Sequence, residues 1–168
     1  MNIEEIGRKA LEYDKYSGCS QSVLLALQET FKIGDMASFK AATVLSGGVA
    51  RKGETCGALL GGLLALGLVI GREDIKDTQV YRDAMIPSDE IIKAFQKHLQ
   101  EIFGFDELLD TTICRHIQKR IYGEAFDLTD QVSYQKFLDA GGHGDRGCPL
   151  VCSVAAIVTA EKLIELGF

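Results

Sequence analysis

The stretch TCGALLGGLLALGLVI, Thr55–Ile70, decides the fold. It holds sixteen residues without one charged side chain, too long for a typical buried strand and free of proline. Thr55 is a good N-cap, so a helix is expected from Cys56 to about Ile70. Being apolar all round, it should lie centrally in a bundle. It is shorter than the roughly 18–20 residues that a membrane span needs. Gly57 and Gly61 stand four apart on one face, and Gly62 and Ala65 extend the same smooth region. Small residues at that spacing let another backbone approach closely, or leave room for a small cofactor beside Cys56.

Just upstream, Gly48–Thr55 reads GVARKGET and nearly fits the phosphate loop G-x-x-x-x-G-K-[ST]. Glu54 stands where that loop needs its lysine, and no strand precedes it. A carboxylate there repels phosphate, which excludes the nucleotide reading. The glycines instead end one helix and turn the chain into the next.

Outward from this centre the pattern stays helical. Ile3, Ile6, Ala10 and Leu11 open the chain with an amphipathic helix, broken at Ser17-Gly18. A second helix carries Cys19, Val23, Leu27 and Phe31, and Asp35 caps a third. Helices are expected around Thr78–Ile86 and Asp89–Phe103, separated at Pro87-Ser88. Thr111-Thr112 should cap a helix with Ile113, Cys114, Ile117 and Ile121, and a short helix is expected over Val132–Ala140. GGHGDRG, Gly141–Gly147, is a loop, and Cys148-Pro149 starts the last helix. The expectation is one all-α domain, residues 1–168: a multi-helix bundle around an apolar, glycine-containing helix.

Composition narrows the function. A net charge of −6 with no basic stripe argues against nucleic acid. The charged, amphipathic N-terminus lacks signal-peptide features, so the cytoplasm is the expected compartment and membrane insertion is not expected. Stable disulfides are rare there, which makes the five cysteines informative. None forms CxxC, so zinc-ribbon, thioredoxin and haem-attachment signatures are absent. Cys19, Cys56, Cys114 and Cys148 nevertheless share one placement, in the first turn of an expected helix and on its apolar stripe. Helix N-termini stabilise anions and lower thiol pKa values. If the four ends converge, they form a thiolate pocket of the kind that selects iron–sulfur clusters or Zn²⁺.

Cys152 lies one helical turn beyond Cys148; a core role is favoured over that of resolving thiol or substitute ligand. Among the histidines, His143, just ahead of Cys148, is the best candidate for a neighbour or proton donor to such a group. No Gly-x-Ser-x-Gly or HExxH element supports hydrolysis.

These cysteines resemble those of the redox-active C_GCAxxG_C_C family. The most specific piece is GGVARKGETCGALLGGLLALGL, Gly47–Leu68, which looks like the family's GG-x-x-x-x-G-x-TCGA-x-x-G core. GCSQSVLLAL (Gly18–Leu27), FQKHLQEIFGF leading to CRHI, and CPLVCSVAA (Cys148–Ala156) resemble its other segments. By motif position its four cysteines fall on Cys19, Cys56, Cys114 and Cys148, while Cys152 and the long segment between Cys114 and Cys148 lie outside the pattern. The resemblance implies redox chemistry. The family is also similar to part of the split-Soret cytochromes, where such cysteines go with an iron–sulfur centre; this chain lacks haem-binding motifs. The resulting expectation is an iron–sulfur cluster, [2Fe–2S], on these four cysteines, with Gly57 and Gly61 providing close approach. It would serve electron transfer or sensing with a redox partner protein. A metal-free thiol–disulfide protein and a structural zinc or binding module for an oxidoreductase or transporter remain open, as does assembly into a homo-oligomer.

Overall fold

A computed structural model describes residues 2–168 as eight α-helices and one short 3₁₀ segment, with no strand among the described residues. In chain order these are α1 (Ile3–Asp14), α2 (Cys19–Phe31), α3 (Met36–Ala41), the 3₁₀ turn Ala42–Leu45, α4 (Gly57–Ile70), α5 (Thr78–Phe103), α6 (Cys114–Tyr122), α7 (Gln131–Asp139) and α8 (Cys148–Glu165). No helix among them is long and apolar enough to cross a membrane.

Local chemistry explains most boundaries. Asn2, Asp35, Asp77 and Asp130 cap α1, α3, α5 and α7 with their side chains. At α4 the cap is Cys56 rather than Thr55, and the helix proper begins at Gly57. Thr55 is taken instead by an isolated antiparallel bridge to Ile113. Ile113, not Thr111-Thr112, accordingly stands at the cap of α6, although the Thr111 hydroxyl does accept the Ile113 amide.

The expected break at Pro87-Ser88 does not occur: α5 runs unbroken through Pro87. Proline removes one N–H, and the carbonyl it strands, that of Asp83, lies on an exposed turn where water can serve it. Downstream, Ile91, Phe95 and Leu99 are fully buried and hold the second half of α5 on the core.

The main core joins α1, α2, α4, α5 and α8, with α8 packed on all four others and α4 packed on α2, α5 and α8. The small residues of α4 make those contacts close. A Cβ on Gly61 would lie 2.4 Å from the Ser20 carbonyl oxygen of α2, and one on Gly62 would meet Thr159 of α8. A separate, smaller apolar cluster of Phe126, Leu128 and Phe137 forms around α7, with Tyr122, Tyr134 and Cys148 against it.

Two glycines of the same helix should therefore respond oppositely. G61A drives a methyl into α2 backbone and is expected to lower stability by about 1–3 kcal/mol. Gly67 has open space beside it, so G67A should raise stability by up to about 1 kcal/mol through helix propensity. Urea unfolding of both variants checks the pair.

Candidate thiol-lined site

Four helix starts converge. Cys19, Cys114 and Cys148 are the first residues of α2, α6 and α8, Cys56 caps α4, and all four line one cavity of about 60 Å³. Roughly 10–15 Å³ suffices for one water, so this space takes a group of several atoms. All five cysteines are free. Cys152 does not line the cavity; it is fully buried in the main core, its Sγ 3.9 Å from the Cys19 carbonyl oxygen.

The bridge between Thr55 and Ile113 brings two of the thiols together. Cys56 N–H donates to the Thr112 carbonyl at 2.8 Å and Cys114 N–H to the Glu54 carbonyl at 2.6 Å. Glu54 also pairs with Arg115 at 2.7 Å, so the carboxylate that excludes phosphate instead ties α6 to the loop before α4. Gly57 is needed for the third thiol: a Cβ there would sit 2.5 Å from Cys19 Sγ. Gly61, by contrast, faces α2 backbone and does not line the cavity.

The loop that resembles a phosphate cradle has an unusual backbone. Gly47, Gly48, Val49, Ala50 and Arg51 all have φ between 51° and 70°, five consecutive residues in the left-handed region. The three that are not glycine each oppose this by about 1–2 kcal/mol. The turn is held by Arg51 N–H to the Ser46 carbonyl, Gly53 N–H to Gly47 and Glu54 N–H to Gly48. It aims the Gly47 amide at Cys19 Sγ and lets Gly48 pass against Cys114, whose Cβ would be 2.7 Å from any added methyl.

Burial, not helix position, sets the thiol chemistry. The helix-start amides act in the expected sense, Ser20 N–H lowering Cys19 and Ala58 and Leu59 N–H lowering Cys56, and the loop amide of Gly47 adds to the effect on Cys19. Desolvation outweighs them, so the expected lowering is reversed. Cys19 is pushed up to about 12, and Cys56, Cys114, Cys148 and Cys152 are raised as well, burial being the largest cause each time. Proximity adds to it: Cys114 is raised further by Cys56, Cys148 and Cys19. In the metal-free protein these are neutral thiols.

Two polar side chains touch the sulfurs. Gln118 Nε2 donates to Cys114 Sγ at 3.7 Å while its Oε1 accepts the Phe126 amide at 3.0 Å. The Tyr122 hydroxyl donates to Cys148 Sγ at 3.5 Å and accepts the Cys148 amide at 2.9 Å. His143 lines the cavity; His116 lies outside it, on the Thr111 hydroxyl at 3.1 Å, and His98 also lies outside it.

Asp14 is the residue that sequence reasoning missed. It ends α1, is 1% exposed, lines the cavity, and neither carboxylate oxygen has a hydrogen-bond partner. His143 Nδ1 approaches it at 3.4 Å without hydrogen-bond geometry. A signal was present: Ile6, Ala10 and Asp14 follow one another at four-residue spacing, which puts a carboxylate on the buried stripe of α1. Among the described residues, no three His, Cys, Asp or Glu side chains converge closely enough to hold a single metal ion.

A fold of packed helices with a thiol-lined cavity at their N-terminal ends defines the class. The family model described as "Putative redox-active protein (C_GCAxxG_C_C)" matches residues 17–162, and the chain belongs to that family. Neither the curated proteins nor the solved structures yield a match.

Burial raises the Asp14 carboxyl above its ordinary value of 3.8, the opposing pull of His143 and Cys152 being smaller. The folded state then holds this proton more tightly than the unfolded one, so the contribution is favourable below the ordinary value and is lost as pH rises through the folded one. D14N should therefore stabilise the metal-free protein at neutral pH by about 1–3 kcal/mol, because the amide leaves a polar group in place but removes the cost of burying its charge. The gain should vanish below the ordinary carboxyl value. Denaturant unfolding of both proteins at the two pH values measures it.

Proposed function

We propose that Cys19, Cys56, Cys114 and Cys148 hold an iron–sulfur group, [2Fe–2S], and that the protein passes or senses single electrons in the cytoplasm together with a redox partner protein. The observation that carries this reading is the shared cavity: four thiols from four helix starts around space for several atoms. Without a point where three ligands meet, a lone zinc ion is disfavoured, whereas a multi-atom group can reach separated sulfurs. The likeness of the family to part of the split-Soret cytochromes supports the same choice. Metal-free disulfide cycling is disfavoured because the thiolate is the nucleophile and burial keeps these thiols protonated.

When bound, such a group supplies one-electron transfer. The chain's own residues hold and tune it. Four thiols lose their protons on ligation, which makes binding pH-dependent. The amides of Gly47, Ser20, Ala58 and Leu59 point at Cys19 and Cys56, and Gln118 and Tyr122 donate to Cys114 and Cys148. Hydrogen bonds to ligating sulfurs stabilise the more negative, reduced form and raise the potential.

Anaerobic purification, followed by a visible spectrum with iron and acid-labile sulfide analysis, tests the reading. Iron and sulfide in equal amounts are expected, lost on Cys→Ser change at any of the four positions and retained in C152S. A protein that stays colourless after reconstitution, with all thiols titratable, would sink it; bound zinc would favour a structural site. In the loaded protein, Y122F removes a donor to Cys148 Sγ while Cys148 N–H keeps its bond to the Gly142 carbonyl. The midpoint potential should fall by about 20–60 mV, the one-electron equivalent of a hydrogen bond worth about 0.5–1.5 kcal/mol.

A further inference from the structure

Two of the cavity thiols are nearly sealed, Cys56 at 6% exposed and Cys114 at 8%, while Cys19 and Cys148 are partly exposed. A reagent of several atoms meets Cys56 and Cys114 only when a wall moves, whatever the cavity holds. Part of the wall comes from α1, α2, α4 and α8, which share one continuous core, and α6 adds Cys114, Ile117, Gln118 and Ile121, with Ile117 in that core and Ile121 packed against it. One wall differs. Leu128, Tyr134 and Phe137 line the cavity from the segment after α6, and that segment has its own small apolar cluster. Its helix, α7, packs extensively against no other helix.

Each end of this segment is a glycine with positive φ, Gly123 at 83° and Gly141 at 86°, and nothing lies within 4 Å of where a Cβ would be at either. Across the mouth stands Arg51, the last residue of the left-handed turn. Its guanidinium lies 4.8 Å from the centre of the Tyr134 ring in α7, and it forms no ion pair with any carboxylate among the described residues. The strained backbone thus ends in a cation set on the wall segment whose apolar cluster is separate from the main core.

We propose that residues 124–140 form a hinged lid over the thiol cavity, with Arg51 on the Tyr134 ring as its latch. The lid admits the group that the thiols bind and otherwise shields them from water and oxidants. Arg51 and Tyr134 act as positioning residues, holding the closed arrangement without touching the sulfurs.

Site-resolved labelling of the reduced, metal-free protein with N-ethylmaleimide tests this, because the rate at a buried thiol follows the open population. R51G removes the guanidinium at a position where glycine prefers the existing backbone, so it should leave the melting temperature unchanged or higher. Labelling of Cys56 and Cys114, the two buried cavity thiols, should nevertheless rise about two- to fivefold in R51G and in Y134L, the equivalent of an exposed cation–π contact. Y134F, which keeps the ring, should behave as wild type. Cys152, buried outside the cavity, is the internal control and should not change. Unchanged rates at the cavity thiols in R51G, or a parallel rise that includes Cys152, would overturn the lid. If Y134L loosens the whole fold, R51G alone decides. Since the measurement uses metal-free thiols, its failure leaves the iron and sulfide result untouched, and the reverse holds too.

Discussion

The site depends on a backbone pairing of only a few residues. Thr55 faces Ile113 in an all-helical molecule, and the bonds on either side of that bridge tie Cys56 and Cys114 into one frame. The bridge supplements the slight helix packing of α6, which reaches the main core through Ile117 and Ile121. The Glu54–Arg115 pair and the second bond of Arg115, from its guanidinium to the Gly53 carbonyl, brace the same junction from the solvent side. The left-handed turn before it brings the chain alongside α6: seven residues after Ser46, the Gly53 carbonyl accepts the Arg115 amide. Glycine at the two tightest positions makes this geometry accessible, and the hydrogen bonds of Gly53 and Glu54 hold the three residues that resist it.

Two opposing terms then shape the chemistry. Helix N-termini present amides to the sulfurs and favour thiolate; burial among apolar side chains favours thiol. Burial wins in the metal-free state by a wide margin. The amides matter only once a positive partner takes the place of the protons, when each becomes a donor to a charged sulfur. Asp14 fits the same pattern. An unpaired carboxylate inside a core opposes folding, and it lies in the wall of the one cavity where unusual groups collect.

Much of this was legible from the chain. Cys19, Cys114 and Cys148 begin their helices as their spacing and flanking residues require, and Cys56 misses by one residue because Thr55 is taken by the bridge. Gly61 and Gly62 pack closely against neighbouring backbone and side chain, as small residues four apart on a helix face should. The unbroken α5 was not legible, because proline's local preference is weak against the burial of Ile91, Phe95 and Leu99 further along. Nor was the roof of the cavity. Leu128, Tyr134 and Phe137 come from a stretch with little periodicity, and they acquire their role only by folding over thiols from distant parts of the chain.

The sequence by itself therefore determined the helical class, the start of each cysteine-bearing helix, the exclusion of a phosphate loop by Glu54, and the family. The first three rest on local facts, side-chain periodicity, capping, proline and glycine chemistry within a few residues; the family rests on the resemblance of the cysteine motifs. Only the tertiary structure decided that the four thiols share one cavity, that burial overrides the helix ends in setting their protonation, and that Asp14 and Arg51 belong to the site. Those outcomes depend on dielectric surroundings and on contacts between residues dozens of positions apart, such as Arg51 with Tyr134 and Cys56 with Thr112. No local pattern encodes them.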